Sequence, residues 1–374
     1  MTDIVRTPLL MRLRKLWFQI HKWIALALMV LLIPLGLSGI VLTWDDAIDH
    51  ALNPRRYAAH GPARLPPSAY AAAARAAIAP GDRIAMIRYP DPDGPVTVSA
   101  VSPPRDKGQG KRPRGMPARA TVWLDPGDGH ALDRQSGDSG LIRIAHNFHG
   151  SLFVPGVGRA LVGLLGVVMF LLAASGLWLW WPPRGRWTRG FRWRRGDRKL
   201  DTNLHHMFGF WIAIPLAAQA VTGVWIASPQ MIALVTGGGF GGGGRMRAQP
   251  LETPAMTPEA ALAAASKIAS GKPAAITWPA GEDGPWRISL DTAKGPIDVT
   301  VDDIDGTAEI AHRRDGGLAM VMRRFHDGTT LGFYWRMVMV LIGLAPTVMG
   351  VTGLLMWLRG RRWRKRPAKA RQAA

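Results

Sequence analysis

The stretch WIALALMVLLIPLGLSGIVLTW, Trp23–Trp44, holds 22 residues and no charged side chain. At about 1.5 Å of rise per residue, a helix of that length covers the roughly 30 Å hydrocarbon core of a bilayer. Backbone polar groups cannot stay unpaired in lipid, so such a stretch must be helical. Three more follow at Ala160–Trp181, Met207–Ser228 and Met337–Leu358. The chain therefore reads as an α-helical membrane protein with a four-helix transmembrane bundle, and four spans put both termini on one side.

The 374 residues carry a net charge of +21, which could suggest nucleic acid as a partner. The distribution of that charge argues against it. Segments 1–22, 182–201 and 359–374 together hold +18, whereas the long connections 45–159 and 229–336 hold +3. Arg184, Arg186, Arg189, Arg192, Arg194, Arg195, Arg198 and Lys199 fall in one short connection, and Arg359–Arg371 form a matching tail. Short basic flanks stay in the cytoplasm, so the termini are expected inside a bacterial inner membrane and the long connections outside it. A docking patch for a cytoplasmic partner or for anionic lipid is the competing use of the same charges.

Arg12, Arg14 and Lys15 precede the first apolar stretch, as they would in a signal peptide. The stretch is too long for that, and Leu42-Thr43-Trp44 is no small-residue cleavage site, so the segment is expected to persist as a helix. The chain has no Cys. That excludes thiol-bound zinc, iron–sulfur clusters, disulfides and covalently attached haem.

Equal spacings run through both halves, as an internal two-fold repeat requires. His21 lies 17 residues before Ser38-Gly39, and His205 lies 17 before Thr222-Gly223. His149 lies 26 residues before Ser175-Gly176, and His326 lies 26 before Thr352-Gly353. Arg159 matches Arg336, Gly166 matches Gly343, and Trp180 matches Trp357. Asp138 and Asp315 each precede the His of their half by 11 residues.

The long connections repeat as well. Ala-rich helical segments at Pro67–Ala79 and Pro258–Ser270 precede alternating pieces at Ile84–Tyr89, Val96–Val101, Ala275–Trp278 and Trp286–Leu290. Hairpin signals follow at Val122–Leu132 and Val299–Ile310. Arg105–Arg119 and Gly237–Gly244 interrupt the pattern and read as a mobile basic loop and a flexible connector.

The expected organisation is a first helix ending at residue 44, a small extracytoplasmic α+β domain over 45–157, and a second helix over 158–181. A basic cytoplasmic connection covers 182–203, and a third helix covers 204–230. A second α+β domain over 231–331, a fourth helix over 332–358 and a basic tail over 359–374 complete the chain.

This topology sorts four histidines into two pairs. His21 and His205 begin outward-running helices at the cytoplasmic face, and His149 and His326 precede inward-running helices at the outer face. Ionisable residues near membrane depth are costly and point to function. Two imidazoles from facing helices can supply both axial ligands of a haem inside a bundle. His146 and His206, next to these positions but without a counterpart in the other half, compete as ligands. His50, His60, His130 and His312 are expected at the surface. Arg159 and Arg336 could neutralise haem propionates, or simply snorkel to the interface. Gly176, Gly223 and Gly353 permit close contact or leave room for a macrocycle. Trp178, Trp180, Trp181 and Trp357 read as an aromatic belt.

Ile20-His21-Lys22-Trp23, Leu204-His205-His206-Met207-Phe208-Gly209-Phe210-Trp211, Phe148-His149-Gly150-Ser151-Leu152, Phe325-His326 and the S/T-G-x-x-x-W helix endings resemble the PepSY-associated transmembrane helix family. The resemblance covers about residues 12–365. It implies PepSY-like extracytoplasmic modules and two haem b groups, with His21, His205, His149 and His326 as the iron ligands. It also implies an oxidoreductase that reduces an extracytoplasmic ferric-siderophore and releases Fe(II) during iron uptake.

Ala25 departs from the pattern, standing where a Gly usually follows the first His by four residues, as Gly209 does. Some relatives carry a cytoplasmic flavin-reductase module, whereas this chain ends at Ala374 in a basic tail. The electron donor is therefore expected to be a separate cytoplasmic or quinol partner. The rival functions are a metal transporter and a PepSY-type binding or regulatory protein without redox activity.

Overall fold

The computed structural model of the chain describes residues 9–90, 93–103, 119–137, 139–181, 199–228, 248–281, 284–293, 295–311 and 318–364. The arginines at 184–198, most of the 105–119 insert, Gly237–Gly244, Asp138, His312, Asp315 and the tail from residue 365 lie outside the described residues.

In chain order the helices are α1 (Leu9–Thr43), α2 (Asp45–Leu52), α3 (Pro67–Ala77), α4 (Leu141–Ser151) and α5 (Gly158–Trp180). They continue with α6 (Leu200–Ala227), α7 (Pro258–Ile268), α8 (Leu318–Asp327) and α9 (Gly332–Arg364). The strands are β1 (Arg83–Arg88), β2 (Val96–Val101), β3 (Arg119–Leu124), β4 (Ala131–Ser136), β5 (Lys272–Thr277), β6 (Trp286–Thr292), β7 (Gly295–Val301) and β8 (Ala308–Ile310). Two compact units result: residues 1–44, 145–239 and 318–374 in one, and 45–144 and 240–317 in the other.

The first unit is helical. Helices α1, α5, α6 and α9 are each long and apolar enough to cross a membrane. Their outer faces leave large apolar side chains uncovered, Val30 at 72% exposure and Ile214 at 68%. An aqueous protein would bury such faces, and lipid tails solvate them. Inside the bundle, small residues bring backbones together. A Cβ on Gly343 would lie 2.9 Å from the Gly36 carbonyl oxygen, so α1 and α9 meet backbone to backbone. Its repeat match Gly166 lies against α6, where a Cβ would meet Val224 at 2.7 Å and the Ala220 oxygen at 3.4 Å. Larger side chains fill the remaining contacts, with Ile212, Met339, Ile342 and Ala345 between α6 and α9, and Leu32, Leu35 and Leu165 between α1 and α5.

Residues 145–157 and 318–331, expected within the loop domains, belong to this helical unit. Most of them form α4 and α8, short helices whose apolar sides face the spans. Phe148 packs on the Leu32–Leu35–Leu165 cluster, and Phe325 lies 4.6 Å from Trp335 between ring centroids. Leu152 and Phe153 take left-handed backbone conformations (φ 50° and 57°) and break α4 from α5. Gly328 (φ 79°) does the same after α8.

The second unit is an antiparallel sheet of eight strands in the order β4-β3-β2-β1-β5-β6-β7-β8, packed against α3 and α7. Alternation places Val96 and Val98 of β2, and Trp286, Ile288 and Leu290 of β6, in one apolar core. The sequence suggests two separate α+β domains, and the two segments instead contribute four strands each to this single sheet. They join through β1 and β5, where fully buried Ile87 lies opposite Ile276. Each four-stranded half alone would leave an open edge at that strand, and pairing removes both edges at once.

Candidate functional site

The four repeat-matched histidines make one contact four times. His21 Nδ1 lies 2.9 Å from the Ser175 hydroxyl, and His205 Nδ1 lies 2.9 Å from that of Thr352. His149 and His326 reach the Ser38 and Thr222 hydroxyls at 3.0 Å each. In every case the next residue along the helix is the glycine of the S/T-G pair. A Cβ there would meet the imidazole Cε1 at 3.4 Å (Gly176), 3.5 Å (Gly353), 3.1 Å (Gly39) or 3.1 Å (Gly223). Hydroxyl and glycine thus form a seat, the first holding Nδ1 and the second leaving room for the ring edge. The exchange is reciprocal, since α1 sends His21 to α5 and receives His149 from α4. Likewise α6 sends His205 to α9 and receives His326 from α8.

His21 and Ser38 stand 17 residues apart on α1, which is roughly 25 Å along the axis. The seats therefore fall at two levels of the bundle. At one level His21 and His205 line a cavity of about 670 Å³, within the roughly 300–1,000 Å³ typical of ligand pockets. Its walls are mostly apolar, among them Met29, Leu172 and Met349, with Arg14, Lys15, Gln19 and His206 as polar members. Arg14 also donates to the Trp178 and Leu179 carbonyls at the end of α5.

At the other level the His149 and His326 rings face each other with centroids 6.2 Å apart, inclined by 55°. Burial pushes both imidazoles down to about 4, with His326 adding to the effect on His149 and Arg323 to that on His326. Gln219 on α6 donates through Nε2 to the His326 carbonyl at 3.0 Å, tying α8 to the span.

The remaining candidates separate clearly. His146 is exposed on α4, and it is His149 that occupies the Ser38 seat. His206 lines the cavity with its ring 5.7 Å from Trp180, and His205 occupies the Thr352 seat. Arg159 is exposed and donates to the Ile226 carbonyl at 2.7 Å, while Arg336 lies 5.7 Å from the Trp44 ring centroid. Neither lines the cavity.

Trp180 corrects the belt assignment. It is 7% exposed, lines the cavity and stacks on Phe210 at 4.1 Å, whereas Trp178 and Trp181 stay exposed. An indole pointing between helices has the same sequence signature as one pointing into the interface.

His50, His60 and His130 are exposed in the sheet unit. Asp125, Asp128 and His130 cluster at the β3–β4 turn. There Asp125 accepts from the Gly127 and His60 amides and Asp128 from the His130 amide, so the cluster closes a turn. The sequence reading missed the four hydroxyls as partners of the histidines, together with Arg14, Lys15 and Trp180 as cavity walls. The constant 17- and 26-residue offsets were the available signal for the hydroxyls.

A comparison with curated proteins found no match. The family described as the PepSY-associated TM region matches residues 18–360, a span that includes all four seated histidines and all or most of each long apolar helix. The chain is thus a multi-pass membrane protein and belongs to the PepSY-associated TM region family.

Proposed function

We propose that this protein carries electrons across the bacterial inner membrane through two b-type haems, to an extracytoplasmic ferric-siderophore. The single observation that carries the reading is the pair of two-histidine sites at the two levels of the bundle. Their dimensions suit the group. Metal–imidazole nitrogen distances of about 2.0–2.1 Å on either side of one ion, plus the ring radii, require centroids roughly 6 Å apart. His149 and His326 stand at 6.2 Å. The other pair opens on the cavity, whose apolar walls and cationic Arg14 and Lys15 suit a flat macrocycle bearing two carboxylates. Arg159 and Arg336 remain the cations proposed for the His149/His326 level.

Haem b bound at the two pairs would supply one-electron transfer, with a separate cytoplasmic or quinol donor and Fe(III) in its chelate as the acceptor. His21 and His205 would hold one group and His149 and His326 the other, each through Nε2, since Nδ1 is occupied by a hydroxyl. Reduction of Fe(III) to Fe(II) weakens a hard-oxygen chelator's hold on the metal, releasing it outside the membrane. The eight-stranded sheet would form from two PepSY-like modules of an internally duplicated chain, facing the periplasm.

The first test is a visible spectrum of the detergent-purified protein, oxidised and dithionite-reduced, with haem quantified per chain. Sharp reduced α and β bands at about two haems per chain are the expected result. A colourless protein from haem-replete cells would overturn the redox reading in favour of transport or ligand binding. Reoxidation by a ferric hydroxamate then tests the acceptor.

A further inference from the structure

Each of the four seat hydroxyls has a second partner on its own helix. Ser38 Oγ donates to the Leu35 carbonyl at 2.8 Å, and Ser175 Oγ to that of Leu172 at 3.1 Å. Thr222 Oγ1 lies 2.9 Å from the Gln219 carbonyl, and Thr352 Oγ1 lies 2.6 Å from that of Val348. A hydroxyl has one hydrogen, and a carbonyl can only accept. The hydrogen is therefore directed at the backbone, and an oxygen lone pair is left for the imidazole. Nδ1 must then be the donor.

A second contact leads to the same answer. His149 Nδ1 lies 3.0 Å from the Leu35 carbonyl as well as near Ser38. A carbonyl facing Nδ1 accepts only when that nitrogen carries a proton.

We propose that Ser38, Ser175, Thr222 and Thr352 are positioning residues that hold His149, His21, His326 and His205 in the Nδ1–H tautomer. Each imidazole thereby presents an unprotonated Nε2 to iron before any haem arrives. A neutral imidazole has one N–H, so fixing it on Nδ1 fixes the lone pair on Nε2. The same bond raises the basicity of the ligand nitrogen and favours the ferric state. Ser175 and Thr352 serve the His21/His205 level, and Ser38 and Thr222 serve the His149/His326 level. Each haem is therefore tuned by its own two hydroxyls. This rests on the haem reading for its effect on affinity and potential, but the tautomer itself does not.

The test uses Thr352→Val and Thr222→Val, which keep shape and remove the hydroxyl, with Thr352→Ser and Thr222→Ser as rescues. Haem retention is measured by transfer to apomyoglobin, and midpoint potentials by redox titration of the full-length protein. Thr352→Val is expected to weaken retention of one haem about 10–100-fold and raise its potential, leaving the other unchanged. Thr222→Val should act on the other haem alone, and both Ser variants should restore wild-type values. Unchanged potentials in the Val variants, equal shifts in both haems, or failure of Ser to rescue would each overturn the proposal.

Histidine-labelled ¹⁵N spectra of the haem-free, detergent-solubilised protein give the tautomer directly. Protonated Nδ1 at His21, His149, His205 and His326 is expected, and protonated Nε2 at these positions would overturn the assignment. If wild-type protein binds no haem, the functional reading fails and these spectra still decide the tautomer.

Discussion

At His149 the ring is held from three sides: Ser38 and the Leu35 carbonyl at Nδ1, Gly39 under the ring edge, and His326 across a 6.2 Å gap. Under the haem proposal, replacing His149 by Ala removes one ligand of one pair and leaves the His21/His205 level in place. Haem content is expected to fall from about two per chain to about one, read from the pyridine haemochrome spectrum. Loss of both haems together, or of neither, would contradict the two-site reading. Gly39→Val is a subtler test. Its Cβ would lie 3.1 Å from His149 Cε1, and a branched side chain there leaves the imidazole no room. The expected outcome matches His149→Ala in spectrum and stoichiometry, while Gly39→Ala retains part of the site. The histidines were legible in the sequence because offsets repeat along one chain. The identity of each hydroxyl partner was not, since the contacts join residues 104–154 positions apart.

The long helices owe their association to small residues more than to large ones. Gly36→Leu would drive a side chain into the α9 backbone at Gly343. Overpacking of this kind costs about 1–3 kcal/mol, expected as a lower thermal midpoint for the detergent-solubilised protein. A midpoint equal to wild type would mean the α1–α9 contact is loose. In the sheet unit Arg56 is 7% exposed, bonds Asp49 at 2.7 Å and Asp133 at 2.6 Å, and lies 3.9 Å over the Trp123 ring. Arg56→Ala leaves both carboxylates without their cation, at a cost of about 3 kcal/mol. Hydrogen exchange should quicken in β3 and β4, and unaltered protection there would show the network to be dispensable. The strands were legible from their two-residue alternation. Helices α4 and α8 were not, because each is short and its apolar side reads like a loop's scattered hydrophobics.

Across the whole chain, charge asymmetry predicts orientation. With +18 on the short flanks and +3 on the long connections, both ends should lie in the cytoplasm. An alkaline phosphatase fusion after Ala374 is therefore expected to be inactive, and one within the 104–118 insert active. The reverse pattern would invert the proposed direction of electron flow. The number of long apolar helices and the spacing of the histidines were determined by the sequence alone. Apolar length, flanking charge and offsets along a helix are local quantities that need no partner to be read. Tertiary structure alone decided three other things: that four hydroxyls seat four histidines, that Trp180 turns inward, and that two connecting segments share one sheet. Each depends on which surfaces of separate elements meet, and no periodicity within a single element encodes that meeting.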